Sequence, residues 1–169
     1  MIRIGLIADT HAYIDDQILT QLTSCDEIWH AGDFGSMDVI KKLQHVKTLR
    51  GVYGNIDGPD ISHIFPENLR FTCEKVRVFM THIGGYPGKY APTVRIELKK
   101  NPAQLFICGH SHICKVMYDD QFNCLHMNPG AAGKQGWHHM RTLIRFTIDG
   151  AEIKDCEVVE LGRRGELSS

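Results

Sequence analysis

The sequence predicts an α/β fold in which two β-sheets pack together with helices outside them. Three observations carry this expectation. The first half alternates apolar runs with stretches of helical periodicity, and the second half shifts to antiparallel hairpin signals. Polar side chains also collect where predicted strands run out. The length of 169 residues suits one domain, residues 1–169, with one sizeable core.

Residues 2–8 form a run that is apolar but for Arg3, as expected of a buried central strand. Residues 15–24 place Ile18, Leu19 and Leu22 at helical spacing, so the first unit reads strand–loop–helix. A short strand follows at Glu27–His30 and ends at Ala31-Gly32-Asp33. Residues 36–45 put Val39, Ile40 and Leu43 on one helical face, with Ser36 or Asp38 suited to cap its start. Residues 46–53 return as a third strand before Gly54-Asn55. Gly58-Pro59 and Pro66 bound a loop over the crevice.

Two strands, residues 69–74 and Val76–Thr81, are joined tightly, and the second stops at His82. After a glycine-rich loop, Pro92–Lys100 reads as a helix with Pro92 in its first turn and Asn101-Pro102 as its stop. Residues 105–108 form an apolar strand that terminates at Gly109-His110. Beyond His112 the pattern is antiparallel. Residues 113–118 and 122–127 flank Asp119-Asp120, and residues 142–148 meet 151–161 across Asp149-Gly150, a strong hairpin signal. Residues 162–169 read as a polar tail.

The net charge of −1 and pI near 6.8 leave no basic field to hold a long nucleic acid, so no stable nucleic-acid complex is expected. A small phosphorylated substrate needs only local positive charge, which metal ions supply. Met1-Ile2-Arg3 leads straight into the first strand, so no secretory leader is expected, and no apolar run nears the roughly 18 residues of a membrane span. A cytoplasmic location without membrane contact is the expectation, and homo-oligomerisation is left open. The six cysteines form no C-x-x-C pair and read as reduced, small core residues.

The strand ends carry Asp9-Thr10-His11, Gly32-Asp33, Gly54-Asn55, Thr81-His82 and Gly109-His110-Ser111-His112. In an open α/β sheet, ligands collect outside the carboxyl ends of strands, so these positions are expected in one crevice. Two carboxylates, one amide and four imidazoles are too many polar groups to bury for packing. A pair of divalent cations explains them most simply. Asp9 and His11 are two apart, so an extended backbone turns both side chains the same way. Gly32 lets the backbone approach closely, and Asp33 has two oxygens with which to bridge two ions. The mixed nitrogen and oxygen set suits Mn²⁺, the leading expectation, or Ni²⁺, Zn²⁺, Fe or Co²⁺. Two such ions about 3.5–4 Å apart share a hydroxide formed near neutral pH.

The ordered motifs Asp9-x-His11, Gly32-Asp33, Gly54-Asn55-x-Asp57, Thr81-His82 and Gly109-His110-x-His112 resemble those of the calcineurin-like metallophosphoesterases, especially their small single-domain prokaryotic phosphodiesterases. The resemblance implies a four-layer α/β/β/α sandwich of two mixed sheets flanked by helices. It implies Asp9, His11 and His112 on one metal, His82, His110 and Asn55 on the other, and Asp33 on both. Asp33 and Asn55 are thereby catalytic, and the implied reaction is attack of a metal-bridging hydroxide on a phosphodiester. Asn128-Pro129-Gly130 matches a structural turn of these small members and adds no ligand.

One position departs from the larger relatives. Where they carry a histidine that assists the leaving group, this chain has Ile56. Two alternatives stand beside the diesterase reading: a phosphomonoesterase with the same metals, and a protein-interaction scaffold like the retromer subunit of similar fold. Other polar residues take blander readings. His30 is expected to be packed or to back a ligand, and Asp57 to orient a ligand or close a turn. His138-His139 reads as exposed loop, and Lys89, Arg95 and Arg141 as solvated surface.

Overall fold

The computed structural model describes residues 1–165. The chain opens with β1 (Ile2–Ile7), α1 (Asp16–Leu22), β2 (Glu27–His30), α2 (Met37–Val46) and β3 (Thr48–Gly51). A one-turn α3 (Pro59–Ser62) leads to β4 (Asn68–Cys73) and β5 (Val76–Thr81). Next come β6 (Gly85–Tyr86), β7 (Lys89–Tyr90), α4 (Pro92–Lys100) and β8 (Leu105–Ile107). Two hairpins close the fold: β9 (Cys114–Asp119) with β10 (Cys124–Pro129), and β11 (Met140–Asp149) with β12 (Glu152–Arg163).

The strands form two five-stranded mixed sheets, ordered β12-β11-β1-β2-β3 and β4-β5-β8-β10-β9. Within the first, β1, β2 and β3 run parallel; within the second, β5, β8 and β10 do. Alternation of side chains along β1 sends Ile4, Leu6 and Ala8 into the space between the sheets, where they join Val78, Met80, Leu105 and Ile107. Each Ile or Leu buried there contributes about 1.5–3 kcal/mol relative to exposure.

On the outer face of the first sheet, Ile7 and Ile28 meet Ile18 and Leu22 of α1 and Val39, Ile40 and Leu43 of α2. Gly5 lets α1 sit close on that face, since a Cβ there would push the end of the Leu22 side chain aside. Phe79 and Phe106 on the outer face of the second sheet pack against Val94 and Leu98 of α4. The layers are therefore helix, sheet, sheet, helix. Helix α1 starts where the Asp15 carboxylate accepts from the Ile18 N–H, and α2 where Ser36 accepts from Val39.

Several boundaries differ from the expectation. Val46 completes α2 because it packs with the outer cluster, so β3 is shorter than residues 46–53. The loop after Gly58 contains α3, pinned by buried Ile61, and the glycine-rich loop folds into the β6–β7 hairpin. Asn128 and Pro129 belong to β10, paired with Lys115 and Cys114, rather than to a turn. Strand β12 runs through Gly162 to Arg163, so the expected tail starts later, and its residues 166–169 lie outside the described residues. All six thiols are free, but only Cys25, Cys73, Cys108 and Cys124 are core residues as expected; Cys114 is half-buried and Cys156, on strand β12, is exposed. Among the described residues, no helix is long and apolar enough to cross a membrane.

Candidate metal centre

The loops after β1, β2, β3, β5 and β8 bring all seven expected side chains to one edge of the double sheet. Two groups of potential ligands form, Asp9 with His11 and His112, and Asp33 with His82 and His110. The backbone achieves this through a device absent from the sequence reading. Asp9, His11, Asp33, His110 and His112 all have left-handed backbones, with φ of 52°, 46°, 60°, 71° and 62°. Such φ values are uncommon outside glycine and cluster at functional sites, where surrounding contacts over-determine them. The expectation of an extended Asp9-x-His11 backbone is therefore corrected: β1 ends at Ile7, and a tight left-handed turn aims both side chains inward. Gly32 (φ 104°) leaves the space that a Cβ would take to the His82 ring.

Each carboxylate divides its oxygens between backbone and crevice. Asp9 Oδ2 accepts from the His110 N–H at 3.0 Å, and Asp33 Oδ1 from the Ile56 N–H at 3.1 Å. Asp33 Oδ2 then stands 3.3 Å from His11 Nε2 and 3.1 Å from His82 Nε2, facing both groups at once. Asp9 Oδ1 lies 3.4 Å from His112 Nε2. His82 donates from Nδ1 to the Ala31 carbonyl at 2.8 Å, which leaves the lone pair on the inward Nε2. The exposed pair His110 Nδ1 and Asn55 Oδ1 is separated by 3.0 Å.

Among the described residues, five buried side-chain atoms lack a hydrogen-bond partner, and four of them sit here: Asp9 Oδ1, both His11 nitrogens and His82 Nε2. An unpartnered buried polar atom costs about 1–3 kcal/mol, so a cluster of them marks a binding site. Carboxylate oxygens with imidazole lone pairs fit transition-metal dications. Burial opposes ionisation of Asp33, yet the His11 and His82 rings facing it outweigh that cost and hold the carboxyl well below the usual range. The close approach of the Asp33 carboxylate raises His11. Burial pulls His82 down, but Asp33 and Asp9 prevail and raise it. Burial lowers His110.

Three residues that brace the site were only partly foreseen. Asp57 accepts from the Phe34, Gly35 and Gly54 N–H groups at 3.1, 2.8 and 2.9 Å, tying the Asp33 loop to the Asn55 loop. His30 is fully buried and stacked on Phe34. The Gly32 N–H donates to its Nδ1, so Nε2 carries the proton and meets Thr10 Oγ1 at 3.0 Å. Thr10 in turn donates to the Phe34 carbonyl. Asn128 donates to the Gly109 carbonyl and Ser111 Oγ, which holds the His110–His112 turn. Arg141 is corrected from solvated surface: it is buried, donating to the Ala132 and Leu161 carbonyls and to Asp15. His138 is also corrected, because its ring meets His112.

Two buried histidines give the fold an acid limit. Burial pushes His126 down to about 4 and His30 down to about 3 from an ordinary 6.5. The unfolded chain therefore takes up the proton first, so the stability tied to neutral imidazole is full above pH 6.5 and falls as pH drops toward 4. His126 alone accounts for on the order of 3 kcal/mol of this loss. Urea unfolding of metal-free protein at pH 7.5 and 4.5 is expected to show the drop, and His126→Gln to shrink it by that share. An equal drop in both proteins would contradict the assignment.

The fold and its strand-end loops define a protein with a candidate dinuclear metal centre at the edge of a double sheet. Residues 2–151 match the calcineurin-like phosphoesterase superfamily domain, and the chain belongs to that superfamily. A probable metallophosphoesterase of Methanothermobacter thermautotrophicus is 26% identical over 164 residues, covering 94% of this chain and 92% of that protein. Two solved structures share the fold. A novel archaeal phosphodiesterase has a TM-score of 0.74 at 21% identity, over 95% of this chain and 100% of that one. Vps29 from Entamoeba histolytica in complex with zinc has a TM-score of 0.73 at 16% identity, over 94% of this chain and 99% of that one.

Proposed function

We propose that this chain is a metal-dependent phosphodiesterase acting on a small phosphorylated substrate. The observation that supports it is the convergence of Asp9, His11, His112, Asp33, His82 and His110 in two adjoining groups, with Asn55 beside His110 and orphaned atoms on Asp9, His11 and His82. Asp9, His11 and His112 would hold one cation, His82, His110 and Asn55 a second, and Asp33 would contact both. Mn²⁺ is the first choice, with Ni²⁺, Zn²⁺, Fe or Co²⁺ compatible. When bound, such a pair lowers the pKa of water and neutralises charge on phosphoryl oxygens.

The protein's own contribution is placement. Asn55 and His82 line a cavity of about 510 Å³ that also takes in Tyr53, Val94 and Glu97. Two carboxylates, Glu67 and Glu97, line that cavity, and among the described residues no lysine or arginine does. A monoester carries more negative charge than a diester, so this lining favours the diester. Ile56 donates its backbone N–H to Asp33 and has no side-chain proton to give a leaving group. General acid assistance is worth about 10²–10⁴-fold, so activated leaving groups are favoured by that order.

The test is elemental analysis of freshly purified protein followed by steady-state kinetics with added Mn²⁺. The expected result is about two ions per chain. Turnover of an aryl phosphodiester should exceed that of the aryl monoester, and that of an alkyl diester by about 100-fold or more. Faster monoester turnover would select the phosphomonoesterase. Silence toward both substrates with every compatible metal would select the scaffold.

A further inference from the structure

The segment after β10 reaches the candidate metal centre through a residue outside every motif. His138 sets its Nδ1 3.2 Å from Nδ1 of His112, with the two rings edge-on at 5.1 Å. Its other nitrogen, Nε2, lies 2.9 Å from the Gly133 carbonyl oxygen. A carbonyl oxygen only accepts, so Nε2 of the neutral ring carries the proton and Nδ1 carries the lone pair. That lone pair can be met only by a proton on His112 Nδ1. His112 is thus left with its own lone pair on Nε2, the atom beside the orphaned Asp9 Oδ1.

We propose that His138 is a positioning residue that fixes the tautomer and rotation of His112, so that Nε2 is presented as a metal ligand. The relay runs from the Gly133 carbonyl through His138 to His112, and it rests on reading the site as a metal centre. The surrounding chain is built to hold it. The Gly133 N–H donates to the Asp9 carbonyl at 3.1 Å, and a side chain at Gly133 would strike the Thr10 carbonyl. Gly136 (φ 132°) passes so close to His112 that a Cβ there would collide with its ring.

From the end of β12, Arg164 donates through Nε to the His138 carbonyl at 2.8 Å, and its backbone N–H donates to the His139 carbonyl at 2.9 Å. Of three consecutive rings, Trp137 is 95% exposed and His139 faces solvent, so His138 alone turns inward. Both nitrogens of His138 are already engaged, which separates it from the ligands themselves. A partner on the far nitrogen of a metal-ligating histidine sets its orientation and basicity, and losing one typically costs about 10–100-fold in metal affinity.

The test compares His138→Leu with His138→Gln, both checked for native circular dichroism. A glutamine amide can donate to Gly133 and accept from His112, which restores the relay without the ring. Nitrogen-15 correlation spectra of metal-free wild type are expected to show His112 protonated at Nδ1, and His138→Leu to show a mixture. Calorimetric titration with Mn²⁺ should find one of two ions bound about 10–100-fold more weakly in His138→Leu, with most of that loss recovered in His138→Gln.

Wild-type His112 protonated at Nε2 would overturn the proposal. So would two ions bound normally by His138→Leu, or equal losses in both variants, which would mean ring packing alone. Those results would leave the metal-centre reading intact, whereas wild type that binds no ion would remove both.

Discussion

Asp33→Asn should abolish phosphoesterase turnover and strip metal from both positions while leaving the chain folded. Asp33 Oδ2 faces nitrogens of both ligand groups, at 3.3 Å from His11 and 3.1 Å from His82, closer than the 3.9 and 3.7 Å at which Asp9 Oδ1 meets the same two atoms. An asparagine keeps an acceptor for the Ile56 N–H, so the loop retains that anchor. It loses the negative charge that would offset two cations, and its second polar atom becomes a donor aimed at imidazole lone pairs. An outer partner of a ligand is typically worth about 10–100-fold in metal affinity, so a shared ligand should exceed that for each ion. Elemental analysis and saturating-Mn²⁺ kinetics read the result. Two retained ions with turnover within about tenfold of wild type would defeat the assignment, since losing even an outer partner often costs more.

Asp57→Ala should destabilise the domain on the order of 3 kcal/mol, less than three charge-assisted hydrogen bonds at about 1.5–3 kcal/mol each because water replaces some of them. Its carboxylate gathers the Phe34, Gly35 and Gly54 N–H groups, one loop on either side of the crevice. The melting temperature should fall by about 6–12 °C, given roughly 2–4 °C per kcal/mol for a domain of this size. Activity should fall with it, because Asp33 and Asn55 ride on those two loops. Asp57→Asn keeps one acceptor oxygen and should lose less on both counts. If Asp57→Ala melts like wild type, the strap between the loops has no energetic weight.

Much of the fold is legible because its signals are local. The apolar run after Met1, the helical spacing of Val39, Ile40 and Leu43, and Asp149-Gly150 each report on a few neighbouring residues. The structure places β1, α2 and the β11–β12 hairpin over those segments. The misread boundaries fall where distant contacts prevail: Val46 joins α2 by packing, and Asn128 joins β10 by pairing with Lys115. Arg141 illustrates the same limit. A basic residue alone reads as surface, but carbonyls of residues 132 and 161 and the Asp15 carboxylate make its burial favourable.

The sequence by itself determined the layered α/β class, the family and the seven side chains to watch, because ligand types at successive strand ends form a pattern along the chain. Only the tertiary structure decided how they are aimed. The left-handed backbones at Asp9, His11, Asp33, His110 and His112 are disfavoured locally, and they persist because contacts from remote segments hold them. Tautomers are likewise beyond a linear reading. The proton on His30 is set by Gly32 and Thr10, on His82 by Ala31, and on His112 by His138, each a hydrogen bond that exists only once the loops have met.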